Sequence, residues 1–252
     1  MISNSDRVLV AGATGGVGQL VVAKLLDKGL LNIRGLTRNK AKAESMFGDR
    51  IEIAEGNIRY SNTLIDATQD IDYIICCTGT TAFPSTRWDF SNFFQPSNSP
   101  KEVDGKGVEN LVSAAPPQLK RFVFVSSCGV FRKDSLPFNL LNAFGVLDAK
   151  LMGETAITAS DLPYTIIRPA RLIDGPYTSY DLNTLLQAKT DGKKGVEIEM
   201  GDNLNGETSR IDVANACVES LFYETTINKD FSIINSGDRP DNINWEQLFL
   251  SL

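Results

Sequence analysis

Seven residues near the N-terminus, Gly12-Ala13-Thr14-Gly15-Gly16-Val17-Gly18, follow the apolar run Val8-Leu9-Val10-Ala11 and lead into a stretch of helical periodicity ending at Lys28. Glycines at 12, 15 and 18 answer three steric demands of a strand–turn–helix that grips a pyrophosphate. Gly12 permits a tight turn, Gly15 lets the backbone approach the phosphates, and Gly18 packs helix against sheet. The helix N-terminus behind Thr14, Gly16 and Val17 offers free amides and the positive end of a dipole. A glycine-rich turn without a ligand is the alternative; the flanking strand and helix argue against it.

About 20 residues beyond the last glycine, an NAD site places an acid that holds the ribose hydroxyls. This chain has Arg38 there. A guanidinium suits a 2′-phosphate through paired hydrogen bonds, so the expected cofactor is NADP(H). A solvated charge at a helix entry is the alternative. Gly56-Asn57-Ile58 follows the third predicted strand, and Thr78-Gly79-Thr80 the fourth. Asn57 and Ile58 are placed to meet adenine, and Thr78, Gly79 and Thr80 to pass beside the dinucleotide. Either stretch could be only a turn.

The elements that must carry these residues alternate along the chain. Strands are predicted at Arg7–Ala11, Asn32–Thr37, Arg50–Ala54, Asp72–Cys77, Arg121–Ser127 and Tyr164–Arg168. Helices are predicted at Gly16–Lys28, Asn39–Phe47, Asn62–Thr68, Pro100–Ala115 and Asn139–Ala159, with Pro116-Pro117 closing the fourth. Repeated βα units with right-handed crossovers imply an α/β, Rossmann-type, doubly wound parallel sheet in the order 3-2-1-4-5-6. The motifs should gather at the carboxyl edge. The 252 residues suit a single dinucleotide-binding domain, with the chain from about residue 170 adding a small C-terminal substrate subdomain. That tail is read as a Gly- and Lys-rich turn at Asp191–Gly195, a helix near Ile211–Phe222, a strand at Phe231–Ile234 and a last helix from Asn244, with Arg210 and Asp212 as a structural pair. Between Thr78 and Pro100 lies a segment rich in Pro, Ser and Asn that carries Phe83, Trp88, Phe90, Phe93 and Phe94. Its length suggests a lid, with a packed Ω-loop as the alternative.

Composition excludes whole classes of function. With 25 Lys+Arg against 31 Asp+Glu the net charge is −6, which argues against nucleic-acid and anionic-lipid partners. The absence of histidine removes Ser-His-Asp triads, a histidine base and histidine-ligated metal. Cys76, Cys77, Cys128 and Cys217 lack zinc-site spacing and read as buried, reduced thiols, so no metal is expected. No apolar run is long enough to span a bilayer, so a soluble protein is expected. With the first strand beginning so early no leader is expected within these residues, and work inside an organelle would imply a targeting segment not among them or a gene of that compartment.

The set Ala11–Gly18, Thr37-Arg38, Val103-Asp104-x-x-Gly107, Val123–Ser127, Ala149-Lys150 and Thr165–Pro169 resembles the atypical short-chain dehydrogenase/reductases of the NAD(P)H-binding, NmrA-like group, over nearly the whole chain. Within it, Thr81–Ser85 and Asp174–Leu182 resemble a subfamily of plastids and cyanobacteria, implying a chloroplast stroma or a cyanobacterial cytoplasm. Short-chain reductases use Ser, Tyr and Lys, the lysine lowering the tyrosine pKa and holding the nicotinamide ribose. By resemblance Ser127 is the catalytic serine, with Ser126 nearer the cofactor, Lys150 is the lysine, and Arg168-Pro169 passes the nicotinamide. Serine pairs at strand ends are also ordinary caps, and Lys150 could be a solvated helix lysine. The tyrosine position holds Val146, so the usual proton donor is missing. Tyr177 or Tyr180 could replace it; packing residues in a loop are the alternative, as is a proton from water.

Two functions follow. One is an NADPH-dependent oxidoreductase acting on a small carbonyl, quinone or conjugated substrate. The other is a catalytically silent dinucleotide-binding regulator or assembly factor that docks a protein partner through Phe83–Phe94.

Overall fold

The computed structural model describes residues 1–80, 98–174, 182–187 and 193–252. Tyr177, Tyr180 and the aromatic segment Phe83–Phe94 lie outside the described residues.

The central strands are short and apolar: β1 (Val8–Ala11), β2 (Ile33–Thr37), β3 (Glu52–Glu55), β4 (Tyr73–Cys76), β5 (Arg121–Val125) and β6 (Tyr164–Pro169). They are parallel and ordered 3-2-1-4-5-6, as the repeated βα pattern predicts. In β1 the side chains alternate between two cores, Val8 and Val10 entering one and Leu9 and Ala11 the other. A strand covered on both faces therefore shows an unbroken apolar run. Each fully buried Val, Leu or Ile contributes roughly 1.5–3 kcal/mol of transfer free energy.

The helices between them are α1 (Gly18–Asp27), α2 (Lys40–Phe47), α3 (Ile65–Thr68), α4 (Lys106–Ala114), α5 (Phe138–Leu141) and α6 (Val146–Thr158). Asn39 caps α2, its Oδ1 accepting from Lys42 N at 2.9 Å. Two predicted helices divide. The stretch from Pro100 opens with a π-helical turn, Lys101–Gly105, before α4. The stretch from Asn139 breaks at Gly145, whose φ of +70° is left-handed, so that α6 starts afresh beside it.

The tail departs further from the sequence reading. After the short β7 (Arg171–Leu172) come α7 (Leu182–Leu186) and β8 (Lys194–Met200), where only a turn at Asp191–Gly195 was expected. In β8, Val196 and Ile198 alternate with Glu197 and Glu199, the period of a half-buried strand. Next follow β9 (Glu207–Thr208), which pairs with β7, then α8 (Arg210–Glu219), β10 (Lys229–Asp238) and α9 (Trp245–Leu250). β10 adds parallel to β6, and β8 runs antiparallel along β10, completing an eight-stranded sheet. The expected Arg210–Asp212 pair does not form. Asp212 binds Arg239 and Asn235, whereas Arg210 turns to Asp174.

Candidate functional site

The first βα turn brings its glycines together as the motif requires. Gly12 adopts a φ of +79°, and a Cβ on Gly18 would stand 2.1 Å from the Gly12 carbonyl oxygen. The turn is therefore closed to any side chain at 18. Gly15 is exposed at the tip, where only the Gly12 oxygen lies near a would-be Cβ, at 3.1 Å.

A cleft of about 370 Å³ opens over the carboxyl ends of β1, β2, β3 and β4. Its lining includes Gly12, Thr14, Gly15, Arg38, Asn57, Ile58, Thr78, Gly79 and Thr80, so most of the predicted cofactor residues share one surface. Gly16, Val17 and Gly18 continue from it into α1. Arg38 Nη1 donates to Asn98 Oδ1 at 2.7 Å, and half-buried Lys42 donates to Thr14 O at 3.3 Å. Lys42 was missed by sequence reasoning. Its signal is its position four residues after Arg38, one turn along α2, which puts a second cation on the same rim. No carboxylate appears among the described lining residues. Asn57 lines the cleft but also builds its own turn, with Oδ1 accepting from Arg59 N and Nε at 3.2 Å.

Behind the Thr78–Thr80 wall, Lys150 is buried in a full set of partners. Its Nζ donates to the carbonyls of Thr78 at 3.0 Å and Val125 at 2.9 Å, and lies 2.9 Å from Asp104 Oδ1. Asp104 Oδ2 accepts from Thr80 N at 3.0 Å and Thr80 Oγ1 at 2.7 Å. Lys150 thereby ties the ends of β4 and β5 to the turn that opens α4. A ribose contact from Lys150 would replace one of these three partners. Asp104 went unassigned in the sequence, although it stands in the Val103-Asp104-x-x-Gly107 motif. Gly107 leaves room for Ile58, whose side-chain carbons lie 2.7 Å from where a Cβ would be.

Ser126 and Arg168 meet in a second buried network. Ser126 Oγ donates to Glu154, and Glu154 takes a bidentate pair from Arg168, 2.9 Å from Nε and 2.8 Å from Nη2. Asp230 holds the remaining side of the guanidinium. Burial works against the Arg168 cation, but the Glu154 and Asp230 carboxylates outweigh it and raise its pKa above the usual range. The Pro169 carbonyl accepts from Cys128 N at 2.9 Å, and neither Arg168 nor Pro169 is among the described residues that line the cleft. Ser127 Oγ donates to Cys128 O at 3.0 Å, and Val146 is half-buried at the start of α6. Among the described residues, no acid or phenol takes the place of the absent tyrosine at this position.

No helix among the described residues is long and apolar enough to cross a membrane. The NAD(P)H-binding family matches residues 12–224. An uncharacterized chloroplastic protein of Arabidopsis thaliana, At2g34460, is 32% identical over 263 residues, spanning 98% of this chain and 83% of its own. Sanguinarine reductase of Eschscholzia californica is 28% identical over 266 residues, covering 96% and 92%. In fold, the chain superposes on the oxidoreductase ylbE from Lactococcus lactis with a TM-score of 0.73 at 19% identity, over 98% and 96% of the two chains. The glycine turn, the strand order and these likenesses agree, and the chain belongs to the NAD(P)H-binding family, within the atypical short-chain dehydrogenase/reductases of the NmrA-like group.

Proposed function

We propose that this protein is an NADPH-dependent reductase of a small carbonyl, quinone or conjugated substrate. The observation that carries the cofactor choice is the rim of the cleft. In a chain of net charge −6, Arg38 and Lys42 line this cleft with no carboxylate among its described lining residues, which supports a site for the adenosine ribose and its phosphate there. Two cations there favour a 2′-phosphate, which would give them the anionic partner that neutral ribose hydroxyls would not.

A bound reduced nicotinamide supplies hydride. The chain's own residues orient it: the glycine turn takes the diphosphate, Thr78–Thr80 forms a wall braced by Asp104 and Lys150, and Ser127, by its resemblance to the catalytic serine of the group, would turn its hydroxyl from Cys128 O to the substrate. The proton comes from Tyr177 or from water, and the chain from about residue 170 covers the substrate. The chloroplastic relative supports a plastid stroma or a cyanobacterial cytoplasm as the compartment. Val146 favours a second reading, a dinucleotide-binding regulator or assembly factor that docks a protein through Phe83–Phe94.

Fluorescence titration tests the first reading. NADPH is expected to bind at least about tenfold more tightly than NADH, about 1.4 kcal/mol. Equal affinities would remove the NADP assignment. Consumption of NADPH in the presence of quinones, flavins or enones separates the reductase from the regulator, which binds without turnover.

A further inference from the structure

Gly16 is not one of the three glycines that the turn spacing demands, yet the space above it is taken by a side chain from elsewhere in the fold. A Cβ there would stand 3.3 Å from Arg210 Nε and 3.5 Å from Arg210 Cδ. An arginine from α8, near the far end of the chain, lies across the phosphate loop.

We propose that Arg210 is a diphosphate-binding residue, its guanidinium reaching over Gly16 to the bridged phosphates of the dinucleotide. The inference rests on the dinucleotide reading above and adds to it a cation from the C-terminal part of the chain. The backbone of Arg210 is firmly placed. Ser209 caps α8 and donates from Oγ to Asp174 Oδ2 at 2.7 Å, and Arg210 N donates to Asp174 Oδ1 at 2.6 Å. The side chain is held more loosely, with Nη1 3.5 Å from the same carboxylate and a fifth of its surface exposed. A structural arginine in this protein looks different: Arg239 grips Asp212 at 2.8 and 3.0 Å. The Arg210 guanidinium is thus tethered near the loop at a distance that an anion at the N-terminus of α1 can outcompete, because a charge-assisted bond to phosphate is shorter and stronger.

Calorimetric titration of NADPH, NADH and adenosine 2′-monophosphate into the parent, Arg210→Gln and Arg38→Gln proteins tests this. Arg210→Gln should weaken both dinucleotides by about tenfold, the scale of one charge-assisted hydrogen bond, leaving their ratio and the monophosphate affinity unchanged. Arg38→Gln should weaken NADPH and the monophosphate but not NADH. If Arg210→Gln binds both dinucleotides within twofold of the parent, the proposal is overturned while the cofactor reading stands. A parent that binds no dinucleotide overturns both. Should Arg210→Gln fail to fold, Arg210→Met carries the test, because it keeps the aliphatic stem beside the loop and leaves the Asp174 anchor of the backbone in place. It should weaken both dinucleotides about tenfold with their ratio unchanged. Affinities within twofold of the parent overturn the role.

Discussion

Asp104 and Lys150 face one another at 2.9 Å in a buried position, one at the opening of α4 and the other in α6, with the Thr78–Thr80 wall between them and the cleft. Removing the lysine strands a buried carboxylate. Lys150→Met should lower unfolding free energy by about 3–5 kcal/mol, whereas adding Asp104→Asn should recover part of the loss. Urea denaturation of the two single variants and the double measures the coupling. A loss under about 1 kcal/mol for Lys150→Met would show that the pair does not support the wall.

The glycine turn allows fold and binding to be separated. Gly15 is exposed and a Cβ there meets the Gly12 oxygen at 3.1 Å, so Gly15→Val should lower the thermal midpoint far less than Gly18→Ala does while its side chain blocks the path of the diphosphate. Gly18→Ala forces a Cβ to 2.1 Å from the Gly12 oxygen, so the turn must open, costing about 1–3 kcal/mol as well as the cofactor. Melting curves and NADPH titrations of both variants check this. Retained NADPH binding by Gly15→Val would mean that the dinucleotide takes another path.

Charge reversal at the rim should invert the cofactor preference. Arg38→Glu is expected to bind NADH better than NADPH, and Lys42→Ala to lose NADPH affinity by a smaller factor with NADH unaffected. Asn98, which holds Arg38 at 2.7 Å, should have a milder effect when replaced by Ala. Competition binding at low salt measures all three. An Arg38→Glu variant that still prefers NADPH would shift the assignment to Lys42.

Buried thiols give the protein an alkaline limit. Burial pushes Cys76 from the ordinary 9.0 up to about 11 and Cys128 up to about 12. Below pH 9 both states keep these protons and the contribution is fully present. Between pH 9 and each raised value only the unfolded thiol ionises, so stability falls by roughly 1.4 kcal/mol per pH unit per thiol. A Cys76→Ala/Cys128→Ala variant should lose stability less steeply over pH 9 to 11 in urea denaturation. Parallel slopes for variant and parent would exclude the thiols as the cause.

The parts of this protein legible in its sequence are those where one physical demand fixes one residue type. Gly12 and Gly18 are there because the turn excludes side chains, and the apolar runs of β1, β4 and β5 because both faces are buried. The place of Arg38 on the lining of the cleft was legible because it stands at a position defined by counting from the glycines. Pairings across the fold were not. Lys150 reads as a helix lysine until Asp104 and the Thr78 carbonyl are brought to it, and Arg210 pairs with Asp174 through the docking of α8 rather than with its near neighbour Asp212. β8 was hidden by Lys193, Lys194 and Gly195 at its start, which mimic a turn, and by Glu197 and Glu199, which dilute its apolar signal at the sheet margin.

Those glutamates have a further consequence. Among the described strands, β3 and β8 form the two margins of the sheet, and both carry exposed carboxylates: Glu55 on one, beside a Glu52 that Arg34 pairs at 2.8 Å, and Glu197 and Glu199 on the other. A free margin offers unpaired backbone groups that invite a neighbouring molecule to add its own strand, and like charges on both margins repel such an addition. The acidic balance of the chain therefore guards against aggregation at neutral pH. That guard weakens as the medium approaches the isoelectric point near 4.9, where self-association through these margins should set in first.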